Sequence, residues 1–277
     1  MRKTSNTVVY ILLAVLGIVW ILPILWVIMT YFREEAGSFT PYFFPKGYTI
    51  QNYINLFSQK DTFNFSRWFA NTLIVAICSC ILSTFYVLSV SYTMSRLRFK
   101  MRKKMMNTAL VLGMFPGFMS MIAVYYVLKA FGISQSLLAL ILVYSSGAGL
   151  SYYIAKGFFD TVPRALDEAA MLDGASKGVI FWRITLPMSK PIAIYTILTS
   201  FMAPWIDYIF ASVIMGDNYE NYTVALGLFS MLEKEFIHSY YTRFAAGAVI
   251  VSIPIAVLFI LTQRFYVQGI TGGSVKG

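Results

Sequence analysis

Charged residues, histidine and cysteine are scarce in this sequence. Only 12% of its 277 residues are charged, there is 1 histidine, and the 2 cysteines, Cys78 and Cys80, lie within one apolar run. Cysteines two positions apart on a helix point in diverging directions, which disfavours a disulfide, and so few ligands leave no metal site to predict. A composition of 58% hydrophobic and 17% aromatic residues does not fit a soluble domain and is typical of a membrane protein.

Motifs for catalysis are also missing. The chain has no GxxxxGK[ST] phosphate loop, no GxSxG, no HExxH and no paired carboxylates, and its terminal GGSVKG has the wrong spacing for a phosphate loop. We therefore predict that the chain is not an enzyme and that it holds no metal or cofactor. A transporter driven by protons or ions usually carries ionisable residues inside its spans, whereas Asp207 is the one carboxylate well inside an apolar segment here. Energy for transport would therefore come from another subunit.

Six long apolar stretches dominate the remainder of the sequence. Each is near the ~20 residues that a helix needs to cross ~30 Å of hydrocarbon. The first is too long for the apolar region of a signal peptide and no small-residue cleavage site follows it, so we interpret it as a retained span. We predict an all-α fold, a polytopic membrane protein with a single transmembrane domain over residues 1–277. Its six spans lie at about Val8–Phe32, Trp68–Met94, Met105–Phe131, Leu137–Phe159, Ile192–Met215 and Phe244–Phe265.

The distribution of Lys and Arg predicts the orientation of these spans. With both termini inside, the inner segments hold 15 of the 22 basic residues: two near the start, six in Arg96–Lys104, five from Lys156 to Lys190 and two near the end. The positive-inside rule therefore places both termini in the cytoplasm of a multi-pass protein of the cell membrane. We interpret Arg96–Lys104 as a topology determinant at the inner leaflet of lipid rather than as a nucleic-acid patch.

A polar island at residues 160–190 interrupts the apolar pattern between the fourth and fifth spans. Its centre reads DEAAMLDGASKGVIFWRITLP, Asp167–Pro187. Helix-forming residues continue through Leu172, Gly174 is suited to end that helix, and Ser176 can cap a second helix that ends before Pro187. The pattern predicts a helix-turn-helix in the cytoplasm. An amphipathic helix lying on the lipid headgroups, with Glu168 solvated, is the alternative.

The spacing of residues in this island resembles the EAA loop of ABC-importer permeases. Glu168-Ala169-Ala170 is followed by Gly174 and then by Ile184, Leu186 and Pro187. The motifs MFP at 114–116, NYTVALG at 221–227 and the ending RFYVQGITGGSVKG resemble the second permease subunit of maltose and maltodextrin importers. The chain departs from many sugar permeases in two places, with Ile-Ala-Val-Tyr at 122–125 and Trp-Ile-Asp-Tyr at 205–208. The second departure lacks the Asn of the usual Trp-Asn-Asp-Phe and leaves any role of that Asn in doubt.

The resemblance implies a non-catalytic permease subunit of an ATP-driven ABC importer for oligosaccharides, of the maltose or maltodextrin type. Its partners would be a homologous second permease, a dimer of cytoplasmic ATPases that binds ATP and Mg, and an extracellular or periplasmic sugar-binding protein. The oligosaccharide would be the substrate, and no nucleic acid is expected. An ABC permease for amino acids or peptides is the closer alternative. An ion-coupled secondary transporter is the more distant one.

The resemblance also assigns roles to individual residues. The predicted contacts with the ATPase are Glu168, Ala169, Ala170, Asp173, Gly174, Leu186 and Pro187, where Glu168 could meet an arginine in a charge-assisted bond. A glycine-rich tail, suited to an irregular surface, would reach the ATPase through Gly269, Thr271, Gly272, Gly273 and Lys276. The connection Gly216–Arg243 would meet the binding protein through Asn218, Tyr219, Asn221 and Tyr222. Pro116 and Asp207 are candidates for a hinge or pathway role, or for a static kink and a hydrogen bond between helices.

Overall fold

The computed structural model describes residues 2–38, 40–59, 62–114, 117–146 and 149–274, with side chains described as far as residue 265. Helices make up nearly all of the regular structure in these residues, and the only strand-like pairing among them is a single antiparallel bridge between Arg33 and Tyr48. The all-α class predicted from composition and apolar runs is therefore confirmed for the described part of the chain.

Most helices are joined by connections of a few residues, whereas residues 32–50 separate the first two helices. Besides the α-helices, the described residues contain a π-helical turn, Phe181–Thr185, and a 3-10 turn, Tyr219–Asn221. In chain order the α-helices are α1 (Arg2–Tyr31), α2 (Gln51–Ser58), α3 (Phe65–Arg96), α4 (Arg102–Gly113), α5 (Gly117–Ala130), α6 (Leu137–Ser145), α7 (Gly149–Thr161), α8 (Arg164–Leu172), α9 (Lys177–Ile180), α10 (Leu186–Met188), α11 (Lys190–Ile206), α12 (Ile209–Met215), α13 (Val224–Ser230) and α14 (Ile237–Ser274).

Three of these helices are long and apolar enough to cross a membrane by themselves. They contain the segments Thr7–Tyr31, Phe65–Arg96 and Ile237–Phe265. Two further candidates are broken: α6 and α7 meet at 42°, and α11 and α12 meet at 61°, so the described residues hold up to 5 spans if each bent pair counts as one. The predicted third span divides into α4 and α5 around residues 115–116, and Pro116 lies outside the described residues. The count of six spans stays a prediction.

Contacts within the chain group the described residues into two compact units. The first contains the residues up to Phe69 together with Leu226–Pro254, and the second contains Ala70–Ala225 together with the residues from Ile255 onward. The single transmembrane domain over residues 1–277 stays a prediction beside this division.

The first unit contains the segment between α1 and α3, which folds as a compact cap. Arg33 keeps only 1% of its exposure, and its Nη2 donates hydrogen bonds to the carbonyl oxygens of Tyr42 (2.6 Å) and Phe43 (2.8 Å). The guanidinium also lies over the Trp26 ring, 5.5 Å from its centroid. These contacts hold Tyr42 and Phe43 close to the end of α1. The short helix predicted near IQNYINLF is present as α2.

The second unit has a core of large apolar side chains that supports the polar island. This cluster joins α3, α7, the π-helical turn and the start of α11, and it consists of Val87, Leu88, Tyr92, Ala155, Phe159, Phe181 and Ile192. Phe159 and Ile192 are almost fully buried although they flank the island on either side. The island therefore starts and ends on packed helices.

A pair of helical glycines tests the packing of α13 in the first unit. A Cβ on Gly227 would overlap the Trp68 indole, whereas a Cβ on Gly157 in α7 would meet nothing within 4 Å. Gly227→Ala should lower the melting temperature of the purified chain, because overpacking a filled site costs about 1–3 kcal/mol. Gly157→Ala should leave it unchanged or raise it, because Ala favours a helix over Gly by about 1 kcal/mol. Equal melting temperatures for the two variants would contradict this packing.

Candidate coupling site and transmembrane helices

The polar island forms the helix-turn-helix that the sequence predicts. Helix α8 ends at Leu172, and Gly174 follows with a φ of +81°, a conformation that side chains with a Cβ rarely adopt. The amide of Gly174 donates to the Met171 carbonyl (3.1 Å), and the amide of Ala175 donates to the Ala170 carbonyl (2.9 Å). Ser176 then caps α9 by accepting a hydrogen bond from the Val179 amide at 3.4 Å. The predicted roles of Gly174 and Ser176 in this turn are confirmed.

The second arm of the island is longer than predicted. Instead of ending before Pro187, it continues from α9 through the π-helical turn into α10, and the break comes at Ser189 with φ −109° and ψ 28°. Pro187 comes just after the π-helical turn, inside this continuous arm, so one backbone hydrogen bond of the helix is missing there. Leu186 is half-buried and Pro187 is exposed, so both predicted contact residues lie on a helical surface.

The outward face of the island is apolar at its tip and acidic beside it. Leu172 retains 90% of its exposure and Met171 about half, and Leu166 and Val179 are also exposed. Of the predicted contact residues, Glu168, Ala169 and Asp173 are exposed and Ala170 is half-buried. Large apolar side chains exposed together mark interaction surfaces. Leu172 is not among the residues predicted from the sequence, although its place at the end of an amphipathic helix could have indicated it.

The inward face of α8 is fixed by an ion pair. The Arg96 Nε lies 3.4 Å from the Asp167 Oδ2, and the two side chains keep only 5% and 12% of their exposure. The Arg96 Nη2 also donates hydrogen bonds to the carbonyl oxygens of Phe159 (2.7 Å) and Val162 (2.8 Å) at the end of α7. Cations are favourable at the carbonyl end of a helix. Arg96 is thus a buried structural cation rather than a member of the exposed basic run that continues at Arg98.

Two further residues of α3 contact the island. The Ser95 Oγ donates to the Asp160 Oδ1 (2.6 Å), and the Tyr92 hydroxyl donates to the Lys177 carbonyl oxygen at the start of α9 (3.2 Å). Tyr92, Ser95 and Arg96, which we call the α3 anchor, therefore hold both arms of the helix-turn-helix. This anchor is not predictable from local sequence patterns, because they do not show which residues meet across 60 or more positions.

Asp207 lies at the break between α11 and α12. Its Oδ2 accepts a hydrogen bond from the Tyr144 hydroxyl (2.8 Å), and its Oδ1 accepts one from the Phe210 amide (3.0 Å) at the start of α12. The carboxylate thereby caps α12 and links it to α6, which suits a carboxylate in an apolar environment. The sequence leaves two roles open for Asp207, a place on the pathway or a hydrogen bond between helices. These contacts are of the second kind.

The residues predicted to meet the binding protein lie around the 3-10 turn. The side-chain amides of Asn218 and Asn221 both donate to the Gln135 carbonyl oxygen, at 3.0 and 2.9 Å. Tyr219 is exposed, whereas Tyr222 is buried and its hydroxyl donates to the Gly216 carbonyl oxygen (3.0 Å). Tyr219 is therefore the most exposed member of the predicted set.

The predicted ATPase-contacting tail is helical as far as the structure describes it. Gly269, Thr271, Gly272 and Gly273 belong to α14, which continues to Ser274, and their contact with an ATPase stays a prediction. Lys276 lies outside the described residues.

Comparisons with known proteins agree with this architecture. Residues 87–270 match the family described as binding-protein-dependent transport system inner membrane component. The chain is 35% identical to the galactooligosaccharides transport system permease protein GanQ of Bacillus subtilis, over 97% of this chain and 94% of that protein. It is 33% identical to the maltodextrin transport system permease protein MdxG of the same organism, over 100% of this chain and 98% of that protein.

A solved structure shares the fold. A chain of a bacterial ABC transporter involved in the import of the acidic polysaccharide alginate superposes with a TM-score of 0.78 at 18% identity, covering 95% of this chain and 97% of that one. The apolar helices and the family match make this chain a multi-pass membrane protein. It belongs to the family of binding-protein-dependent transport system inner membrane components.

Proposed function

We propose that this chain is the transmembrane permease subunit of an ATP-driven ABC importer for oligosaccharides of the maltodextrin type. The observation that carries the proposal is the polar island, a preformed helix-turn-helix with an exposed Leu172 and Glu168 on a chain that belongs to a transport family. The names of GanQ and MdxG, both oligosaccharide transport permeases, support the substrate class. An amino-acid or peptide permease is the alternative within the superfamily, and no described contact favours it.

The chain supplies half of the translocation pathway and no hydrolysis. A homologous permease supplies the other half, a dimer of cytoplasmic ATPases binds ATP and Mg, and an extracellular or periplasmic sugar-binding protein delivers the substrate. Closure of the ATPase dimer moves the polar islands of both permeases, and the pathway opens outward to receive the sugar. An ion-coupled mechanism is disfavoured because both oxygens of Asp207 are engaged by Tyr144 and Phe210 within the protein.

The proposed topology has six spans with both termini in the cytoplasm. Helices α4 and α5 together form the third span, and the bent pairs α6–α7 and α11–α12 form the fourth and fifth. This arrangement places the polar island inside the cell and the 3-10 turn outside it, as the distribution of Lys and Arg requires.

Cysteine labelling tests the topology. In a background with Cys78 and Cys80 replaced by alanine, a cysteine at the exposed Lys177 should react with a membrane-impermeant maleimide only from the cytoplasmic side. A cysteine at the exposed Asp217 should react only from the outside. Mass shifts on intact and inside-out vesicles measure both reactions. Reaction of both positions from the same side would refute the six-span arrangement.

Two substitutions on the polar island test docking. Glu168→Lys turns an attraction to an ATPase arginine into a repulsion, and losing one partner of a buried charge pair costs roughly 2–5 kcal/mol. Each ~1.4 kcal/mol is tenfold in affinity, so at least about tenfold less ATPase should co-purify. Leu172→Asn should weaken the same contact by removing an apolar side chain. Asp217→Lys, the same kind of charge change on the outer side, is the control. Normal ATPase recovery with Glu168→Lys would place residue 168 outside the docking surface.

A truncation tests the tail. We propose that the end of α14 from Gly269, together with the residues that follow it in sequence, contacts the ATPase. Deleting residues 269–277 should reduce sugar uptake while the chain remains in the membrane fraction. Uptake at the full rate by an equal amount of inserted truncated chain would remove the tail from the coupling site.

A further inference from the structure

The helix α3 has partners at both ends, and these partners belong to the two surfaces that the proposed function uses. At its cytoplasmic end the α3 anchor holds the polar island through Tyr92, Ser95 and Arg96. At its outer end, Asn71 and Thr72 hold the backbone of the segment that contains the 3-10 turn. We propose that α3 is the element that transmits movement between the ATPase-docking island and the outer 219–224 segment. This inference rests on the proposed function for the identity of the two surfaces.

The outer contacts are as specific as the inner ones. The Asn71 Nδ2 donates hydrogen bonds to the carbonyl oxygens of Glu220 (2.9 Å) and Tyr222 (3.0 Å). The neighbouring Thr72 Oγ1 accepts a hydrogen bond from the Val224 amide at 2.7 Å. Backbone groups of every second residue in this segment, at positions 220, 222 and 224, are therefore bound to one turn of α3. Asn71 and Thr72 are buried, and so are their bonds to Tyr222 and Val224, which protects these two bonds from water.

The helix between the two ends is suited to move as one body. Its 32 residues include neither proline nor glycine, the usual causes of kinks. From Asn71 to Arg96 it extends about 38 Å at 1.5 Å per residue, which is enough to cross the membrane. By contrast, the two helix pairs that flank the island in sequence, α6–α7 and α11–α12, are bent at 42° and 61°. A displacement of the island would be absorbed at those bends, whereas α3 has no such joint.

The ion pair between Arg96 and Asp167 is better explained as fixing the position of α8 against the end of α3 than as stabilising the fold. The Arg96 Nε and the Asp167 Oδ1 have no hydrogen bond of good geometry although both are buried. A buried pair that is incompletely hydrogen-bonded stabilises a fold little, and apolar residues of similar volume would serve as well. A buried pair does, however, fix one arrangement of two elements, because alternatives leave the charges unpaired. Arg96 and Asp167 therefore act as positioning residues that keep α8 in register with the end of α3.

Fluorescent labels at both surfaces test this transmission. The complex that co-purifies with the chain is reconstituted with cysteine at Lys177 on the island or at Asp217 beside the 3-10 turn, with Cys78 and Cys80 replaced by alanine. Addition of a non-hydrolysable ATP analogue with Mg should change the fluorescence of both labels. Arg96→Gln and Asn71→Ala should each leave the response at 177 and reduce the response at 217 at least about fivefold, within the usual range of coupling effects.

The control is Arg98→Gln, the same change at an exposed arginine two positions along, which should leave both responses intact. A response at 217 that persists in Arg96→Gln and Asn71→Ala would overturn the proposal. Loss of both responses in Arg96→Gln would also overturn it, because the ion pair would then only shape the docking surface. If Arg96→Gln fails to insert, Tyr92→Phe replaces it, since that change removes only the hydroxyl bonded to the Lys177 carbonyl. Normal recovery of the ATPase with both Glu168→Lys and Leu172→Asn would instead refute the proposed function.

Discussion

The buried Arg96 guanidinium is the contact on which the arrangement of the polar island depends. One side chain at the end of α3 binds two carbonyl oxygens at the end of α7 and the first-turn carboxylate of α8. These partners lie on either side of the elbow at Pro163, so the guanidinium sets the direction in which α8 leaves the membrane part of the chain. Everything exposed on the island, including Leu172, is presented at an angle that this contact determines. Lysine could not reproduce it, because a single ammonium lacks the planar set of donors.

The same requirement, partners for polar groups in an apolar solvent, shapes the rest of α3. Burying apolar surface drives helices together weakly in lipid, and short polar side chains that bind a neighbouring backbone are used instead. The Ser91 Oγ donates to the Tyr152 carbonyl (3.0 Å), and the Ser200 Oγ donates to the Ser83 Oγ (3.1 Å). Ser79, Ser83, Ser91 and Ser95 are all buried along this helix. Small residues also allow the close approach that gives such bonds their short distances.

The features that could be predicted from the sequence are those that local rules decide. The apolar runs, the φ of Gly174 and the cap at Ser176 follow from residue type and spacing alone. The continuation past Pro187 departs from the prediction, because proline is expected to end a helix, yet the arm runs through Pro187 just after the irregular π-helical turn. The α3 contacts could not be predicted, since Arg96 and Asp167 lie far apart in the sequence and Asn71 lies 149 residues from Glu220. The sequence treats Arg96–Lys104 as one topology determinant, yet the Arg96 side chain is buried whereas Arg98 is exposed.

Asp167 and Glu168 are adjacent acids on one short helix that face different surroundings. Consecutive residues on a helix point about 100° apart, so two adjacent carboxylates face different surroundings. Asp167 faces inward and is paired with Arg96, while Glu168 is exposed beside Leu172. The two acids are chemically alike, and only the tertiary contact distinguishes the residue that fixes the helix from the residue that stays exposed. A substitution at either position removes a negative charge from the same motif, yet one acts on the register of α8 and the other on the surface that α8 presents.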